Sequence, residues 1–147
     1  MTLGAARALP PPSDEAVPFW DASRDGRFVL PWCRPCDRVF WHPRAACPRC
    51  LSDDIEWREA SGRGTVYAVS VQHNAALPEL REYVPYAVAL VDLEEGARMM
   101  ANVIGCAAED VFVGMPVTIT WDPLPDGRRL PLFSAAGHAQ PDRGEVR

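Results

Sequence analysis

CRPCDRVFWHPRAACPRC, residues 33 to 50, holds four of the five cysteines as two Cys-x-x-Cys pairs, Cys33/Cys36 and Cys47/Cys50. Ten residues separate the pairs. A two-residue gap lets both thiolates of a pair converge on one side of a tight turn. Two such knuckles can supply four sulfurs at about 2.3 Å from a zinc ion. The segment Asp37 to Ala46 reads as a short hairpin that brings the knuckles together. Four sulfurs leave no coordination position open for water, so the zinc reads as structural, holding a ribbon too small for its own core. Arg24, Arg27, Arg34, Arg38, Arg44 and Arg49 outnumber Asp25 and Asp37 from Arg24 to Cys50, a local balance of +4. Arginine beside Phe40 and Trp41 suits a phosphate and a stacked base, in a nucleotide or a nucleic acid.

Iron in the same four-sulfur cage is the rival reading, because Cys47-Pro48-Arg49-Cys50 is rubredoxin-like, and it keeps electron transfer as an alternative function. Asp37 and Leu51 stand where a glycine usually follows each knuckle.

Outward from the ribbon, residues 1–12 read as an Ala/Pro-rich arm ending in Pro10-Pro11-Pro12. Residues 13–30 read as a helical segment, with Ser13 as N-cap, Pro18 opening a second short helix and Gly26 stopping it. Phe19 and Trp20 are expected to pin it to the rest of the fold. Residues 31–60 form the ribbon, with strands at Phe28–Leu30, Val39–Trp41 and Ile55–Arg58. Ser61-Gly62-Arg63-Gly64 marks a junction. Residues 61–136 then read as five strands: Thr65–Gln72, Tyr86–Leu93, Arg98–Ile104, Val117–Trp121 and Leu130–Phe133. Val117, Ile119 and Trp121 share one face of the fourth strand, and Thr118 and Thr120 the other. One or two helical turns are expected over Ala107–Val113. Five strands with a helix between the third and fourth is the order of an OB-fold barrel, whose ligand loops would be His73–Pro85 and Asp122–Arg129. Residues 137–147 read as a frayed tail. The chain is thus mainly β: short helices, a zinc ribbon, then a five-stranded barrel.

Hydrophobic residues at 48% and charged residues at 24% of 147 residues describe a globular chain rather than a disordered one. The longest apolar run, Tyr86 to Val91, is far below the roughly 20 residues of a membrane span. The N-terminus lacks the apolar stretch of a secretory signal, so a cytoplasmic, reduced setting is expected. All 15 basic residues are arginine and the net charge is −5. Without lysine there is neither a Schiff base nor a phosphate-loop amine, and the acidic balance disfavours nucleic acid, whose affinity rests on phosphate neutralisation. No nucleophile elbow, glycine-rich phosphate loop, HExxH or dinucleotide fingerprint is present. Cys106 reads as a small core residue, and His42, His73 and His138 as surface histidines with at most an accessory role.

The runs PFWDASRDGRFVLPWCRPC, HPRAACPRC, SGRGTVYAVSV, VPYAVALVDLEEG and VGMPV together resemble the zinc-ribbon/OB-fold acyl-CoA-associated proteins. The likeness extends from about Pro18 to Phe133 and carries that family's four zinc cysteines onto Cys33, Cys36, Cys47 and Cys50. It implies an accessory subunit that binds acyl-CoA, forms a hetero-oligomer and leaves catalysis to a thiolase-like aldolase or thiolase, or to a hotdog-fold hydratase. Some members belong to aldolases of steroid side-chain breakdown. Arg38 and Trp41 on the ribbon and Arg63 at the junction are the candidate acyl-CoA contacts. A nucleic-acid-binding module remains the reading from a second function class.

Overall fold

The computed structural model describes residues 9–136; the first eight residues of the arm and the tail at 137–147, with His138, lie outside them. A 3₁₀ turn at Asp14–Ala16 runs into helix α1, Val17–Arg24. Pro18 occupies its first turn, where the missing N–H costs nothing. Ser13 precedes the 3₁₀ turn in extended conformation but makes no side-chain cap. Instead its carbonyl accepts from the Ala16 N–H at 2.9 Å.

Strand β1, Val29–Cys33, pairs antiparallel with β2, Arg38–Val39, and with β3, Ile55–Glu59. This three-stranded ribbon differs from the expectation in its strand bounds, since β1 runs on through Cys33 and β2 stops at Val39, and in its middle segment. Asp37 to Ala46 is not a hairpin, because Arg38 and Val39 pair backward to β1, with the Phe40 N–H on Pro31 O at 3.1 Å. Beyond them Trp41 reaches helix α1. The segment leading into β3 ties to both knuckles, through Arg34 N–H to Asp54 O at 3.1 Å and Cys47 N–H to Ser52 O at 2.8 Å.

The barrel comprises β4 (Arg63–Gln72), β5 (Tyr86–Leu93), β6 (Arg98–Ile104), β7 (Pro116–Pro123) and β8 (Arg129–Ala135). It closes in the order β4-β5-β6-β8-β7. All neighbours are antiparallel except β6 and β8, which meet through two parallel pairs, Val103–Phe133 and Ile104–Ser134. In β5, Ala87, Ala89, Val91 and Leu93 point into the core, so strict alternation fixes its register. A bulge at Tyr67 breaks the β4–β5 ladder. It turns the ring outward, where the Arg98 guanidinium lies over it at 3.4 Å.

One expectation is corrected by packing. The helical turns placed over Ala107–Val113 shrink to a 3₁₀ turn at Ala108–Asp110. Val111 enters the core, and Gly114 N–H to Val66 O (2.8 Å) ties the segment to β4. On the threonine face of β7, Thr120 and Asp122 are both buried. Their cross-strand neighbours Leu132 and Leu130 form a second cluster with Leu124, over which Leu9 and Trp20 pack.

Helix, ribbon and barrel meet at Phe19, which is 2% exposed. Its ring lies 5.0 Å from Trp41, 6.3 Å from Phe28 and 6.3 Å from Trp121. Edge-on aromatic pairs of this kind add about 0.5–1.5 kcal/mol each beyond area burial. The junction below needs its glycines. Gly62 has φ +74°, and a Cβ there would lie 2.3 Å from Ile119 Cγ2. A Cβ on Gly64 would lie 2.6 Å from Val91 Cγ1. Gly62→Ala is expected to destabilise the protein by about 2–4 kcal/mol through left-handed strain and overpacking. Urea denaturation of both proteins checks this.

Candidate metal centre and adjoining clefts

The first knuckle is a turn at the tip of a strand, and the second is a turn in the loop between β2 and β3. The first follows β1, where Cys33 stands opposite Ile55 of β3. The second closes on itself through Leu51 N–H to Cys47 O at 3.0 Å. Asp37 and Leu51, one residue past each knuckle, adopt φ +48° and +63°. The chain therefore takes up the left-handed turn that glycine would favour, and bears its steric cost of about 1 kcal/mol per site.

The Sγ atoms of Cys33, Cys36, Cys47 and Cys50 all lie within 4.8 Å of one another, with Cys33 and Cys50 at 3.6 Å. Sulfurs around a tetrahedral zinc sit about 3.8 Å apart, so the set fits such an ion. Cys33 and Cys47 are buried, Cys36 is half-buried and Cys50 is exposed. Their acidities separate. The backbone N–H groups of Cys50 and Arg49 hold the Cys47 thiol down to about 7, the latter at 3.4 Å from Sγ. The hydrogen bond with Cys50, then burial, pushes Cys36 up to about 12, while burial raises Cys33. The amide donors that favour the Cys47 thiolate and the four converging sulfurs together fit a soft divalent cation.

Two hollows flank the ribbon. A cleft of about 610 Å³ lies between α1, the segment Trp41–Arg44 and the outer side of β6, with Phe19, Trp20, Met99 and Leu132 among its walls. Trp41 and Arg44 both line it. A second hollow of about 400 Å³ is bordered by Trp32, Arg38, Arg49 and Glu95. Arg38 and Trp41 therefore serve different hollows, and Arg63 lines neither. The Arg63 guanidinium is held bidentately by Glu94 at 2.8 and 2.7 Å, which lowers that carboxyl's pKa. Cys106 is half-buried against the core with its thiol raised by burial. His73 is exposed just beyond β4. No helix among the described residues is long and apolar enough to cross a membrane. The Ser61 N–H to Glu95 Oε1 hydrogen bond, 2.6 Å, was not visible in the sequence, because Glu94-Glu95-Gly96 reads only as a hairpin turn.

Ribbon plus closed five-stranded barrel defines a two-part zinc-ribbon/OB-fold class. Residues 20–56 match the family model described as ChsH2, rubredoxin-like zinc ribbon domain, and residues 57–122 the one described as ChsH2, C-terminal OB-fold domain. The chain belongs to this DUF35-type zinc-ribbon/OB-fold family. It is similar to a solved chain of the "Ltp2-ChsH2(DUF35) aldolase", at TM-score 0.77 and 34% identity, covering 87% of this chain and 99% of that one. It is 37% identical to a probable enoyl-CoA hydratase alpha subunit of Thermomonospora curvata, over 80% of this chain and 37% of that protein. A DUF35 domain-containing scaffold protein of Methanocaldococcus jannaschii is 38% identical over 58% of this chain and 60% of its own length. The chain thus spans less than two thirds of either curated relative.

Leu51→Gly is expected to stabilise the ribbon by about 1 kcal/mol by relieving the left-handed strain, measured as a shift in thermal unfolding. Cys47→Ser is expected to abolish stoichiometric metal in mass spectrometry of the purified protein. It should also move tryptophan emission to the red as Trp32, Trp41 and Trp57 gain water.

Proposed function

We propose that this chain is a non-catalytic accessory subunit of a thiolase-like aldolase or thiolase. It carries one structural zinc on Cys33, Cys36, Cys47 and Cys50 and binds the partner's acyl-CoA substrate. The observation that supports this reading most is the correspondence with the aldolase chain along 99% of that chain's length. The zinc would supply cross-linking of the ribbon, on the order of 10 kcal/mol of folding free energy, and no reaction step. The 610 Å³ cleft supports a ligand with an apolar body and an anionic end. Phe19, Trp20, Trp41 and Met99 offer apolar wall, while Arg44 stands exposed beside them. A hydratase partner is the second reading, favoured by the Thermomonospora curvata relative, although only 37% of that protein corresponds to this chain.

Co-expression with the thiolase-like protein encoded nearest to it is expected to yield one co-eluting complex in size-exclusion chromatography. Carbon–carbon cleavage of an acyl-CoA, by retro-aldol reaction or by thiolysis with free CoA, should appear in the complex and in neither component alone. A partner that is fully active by itself and elutes separately overturns the reading. Stable assembly with a hotdog-fold hydratase instead selects the second one. Iron rather than zinc in the purified protein, with the matching visible absorbance, would support electron transfer.

A further inference from the structure

The open edges of the barrel strands are not alike. β6 and β8 meet through two pairs only, so the first part of each strand is unpaired on that side. Both stretches are blunted against a further strand. Pro131 in β8 has no N–H, and the Arg129 N–H donates to Ser23 Oγ at 3.2 Å. β6 carries Arg98, ion-paired with Asp92. The second half of β4 has an open edge of another kind. Leu93 N–H donates to Ala97 O at 2.8 Å, so alternate residues of β5 turn their backbone groups toward β6, and Tyr86, Val88 and Leu90 turn theirs toward β4. These face Gln72, Ser70 and Ala68, which leaves the N–H and C=O of Val69 and Val71 pointing out of the sheet. β7 does not reach them. Its ladder with β4 covers Arg63 to Thr65, and the last ties are Val66 N–H to Met115 O at 3.0 Å and Gly114 N–H to Val66 O at 2.8 Å. On that side the backbone groups of Val69 and Val71 have no partner among the described residues.

Nothing blunts this edge. The Tyr67 bulge precedes it, and pairing is regular from Ala68 to Gln72. Residues 64–77 contain no aspartate, glutamate, arginine or proline. Apolar side chains stand out at both of its ends. Tyr67, Phe112 and Val113 are 51%, 57% and 65% exposed beside Val66, and Leu77, past Gln72, is 51% exposed. We propose that a second copy of this chain pairs along this edge, antiparallel, about a two-fold axis at Ser70. Val69 then lies opposite the second copy's Val71, and Val71 opposite its Val69, each pair exchanging both backbone hydrogen bonds. Ser70, exposed in the single chain, meets the second copy's Ser70 as a pair with Cα atoms about 4.5 Å apart. The axis also sets one end of the edge against the other, bringing Phe112 and Val113 toward the second copy's Leu77. Such a contact is isologous and closes at two chains. Copies with a net charge of −5 repel over most of their surface, and this uncharged stretch is where they can meet.

Light scattering on the zinc-loaded full chain as it leaves a size-exclusion column is expected to give twice the mass of one chain. Ser70→Lys and Ser70→Glu each set like charges against each other across the axis. Each should raise the dimer dissociation constant by roughly tenfold or more. Mixing the two variants in equal amounts should restore the dimer, seen in native mass spectrometry as a species holding one copy of each. Ser13→Lys adds the same charge at an exposed position away from the edge and should leave the dimer unchanged. Unchanged zinc content and circular dichroism show that each variant is folded. A parent protein that runs as a single chain overturns the contact. So does a dimer that survives both charges, or a pair of variants that fails to recombine. Should Ser70→Lys instead detach a thiolase-like partner from a single-chain parent, the edge belongs to that partner and the second-copy contact is likewise overturned.

Discussion

Four sulfur atoms within 4.8 Å of one another are the constraint on which the ribbon depends. The ribbon's separate buried cluster is Cys33, Phe40 and Cys47, with Cys36 and Ile55 against it. Three of those five side chains are metal-ligand candidates. Hydrophobic burial on that scale cannot offset the entropy of ordering some thirty residues at about 1–2 kcal/mol each. A coordinated ion on these four sulfurs would take the place of a core.

The aromatic joint carries that order into the rest of the molecule. Phe19 touches the ribbon through Trp41 and Phe28 and the barrel through Trp121. Because these rings are packed rather than hinged, the ribbon cannot swing relative to the barrel without exposing them. The apolar cleft opens beside this joint, and the arginine-lined hollow opens where the knuckles face the β5–β6 turn. One rigid contact thus holds two hollows of unlike lining at a fixed separation.

Local pattern made much of this readable beforehand. The knuckles declare themselves by spacing, and β5 by a nearly unbroken apolar run from Tyr86 to Leu93. The barrel order followed from five strands and the place of the helical turn. What the sequence hid depends on distant partners. Leu132, cross-strand from the buried Thr120, is covered by a cluster that takes in Leu9 and Trp20. Asp37 to Ala46 fails to form a hairpin because Trp41 is drawn to Phe19. Arg63 is clamped by a glutamate 31 positions away, and Glu95 takes the Ser61 N–H only once the fold sets them side by side. The left-handed turns at Asp37 and Leu51 override the local preference of those residues because knuckle geometry demands them.

The exclusive use of guanidinium has a consequence for how the fold fails in acid. Every side-chain cation other than histidine keeps its charge throughout the accessible range. The carboxyls of Glu56, Asp92, Glu94 and Asp126 are all held below their ordinary values by arginine partners. Their pairing is present above the unfolded carboxylate range near pH 4 and weakens only as pH falls through the lower folded values. Thiolate ligands must exchange their metal for protons well before that. On acidification a metal-loaded ribbon would be released first, while the barrel's charged rim stays intact, so disassembly would begin at the end of the molecule that carries the four thiols.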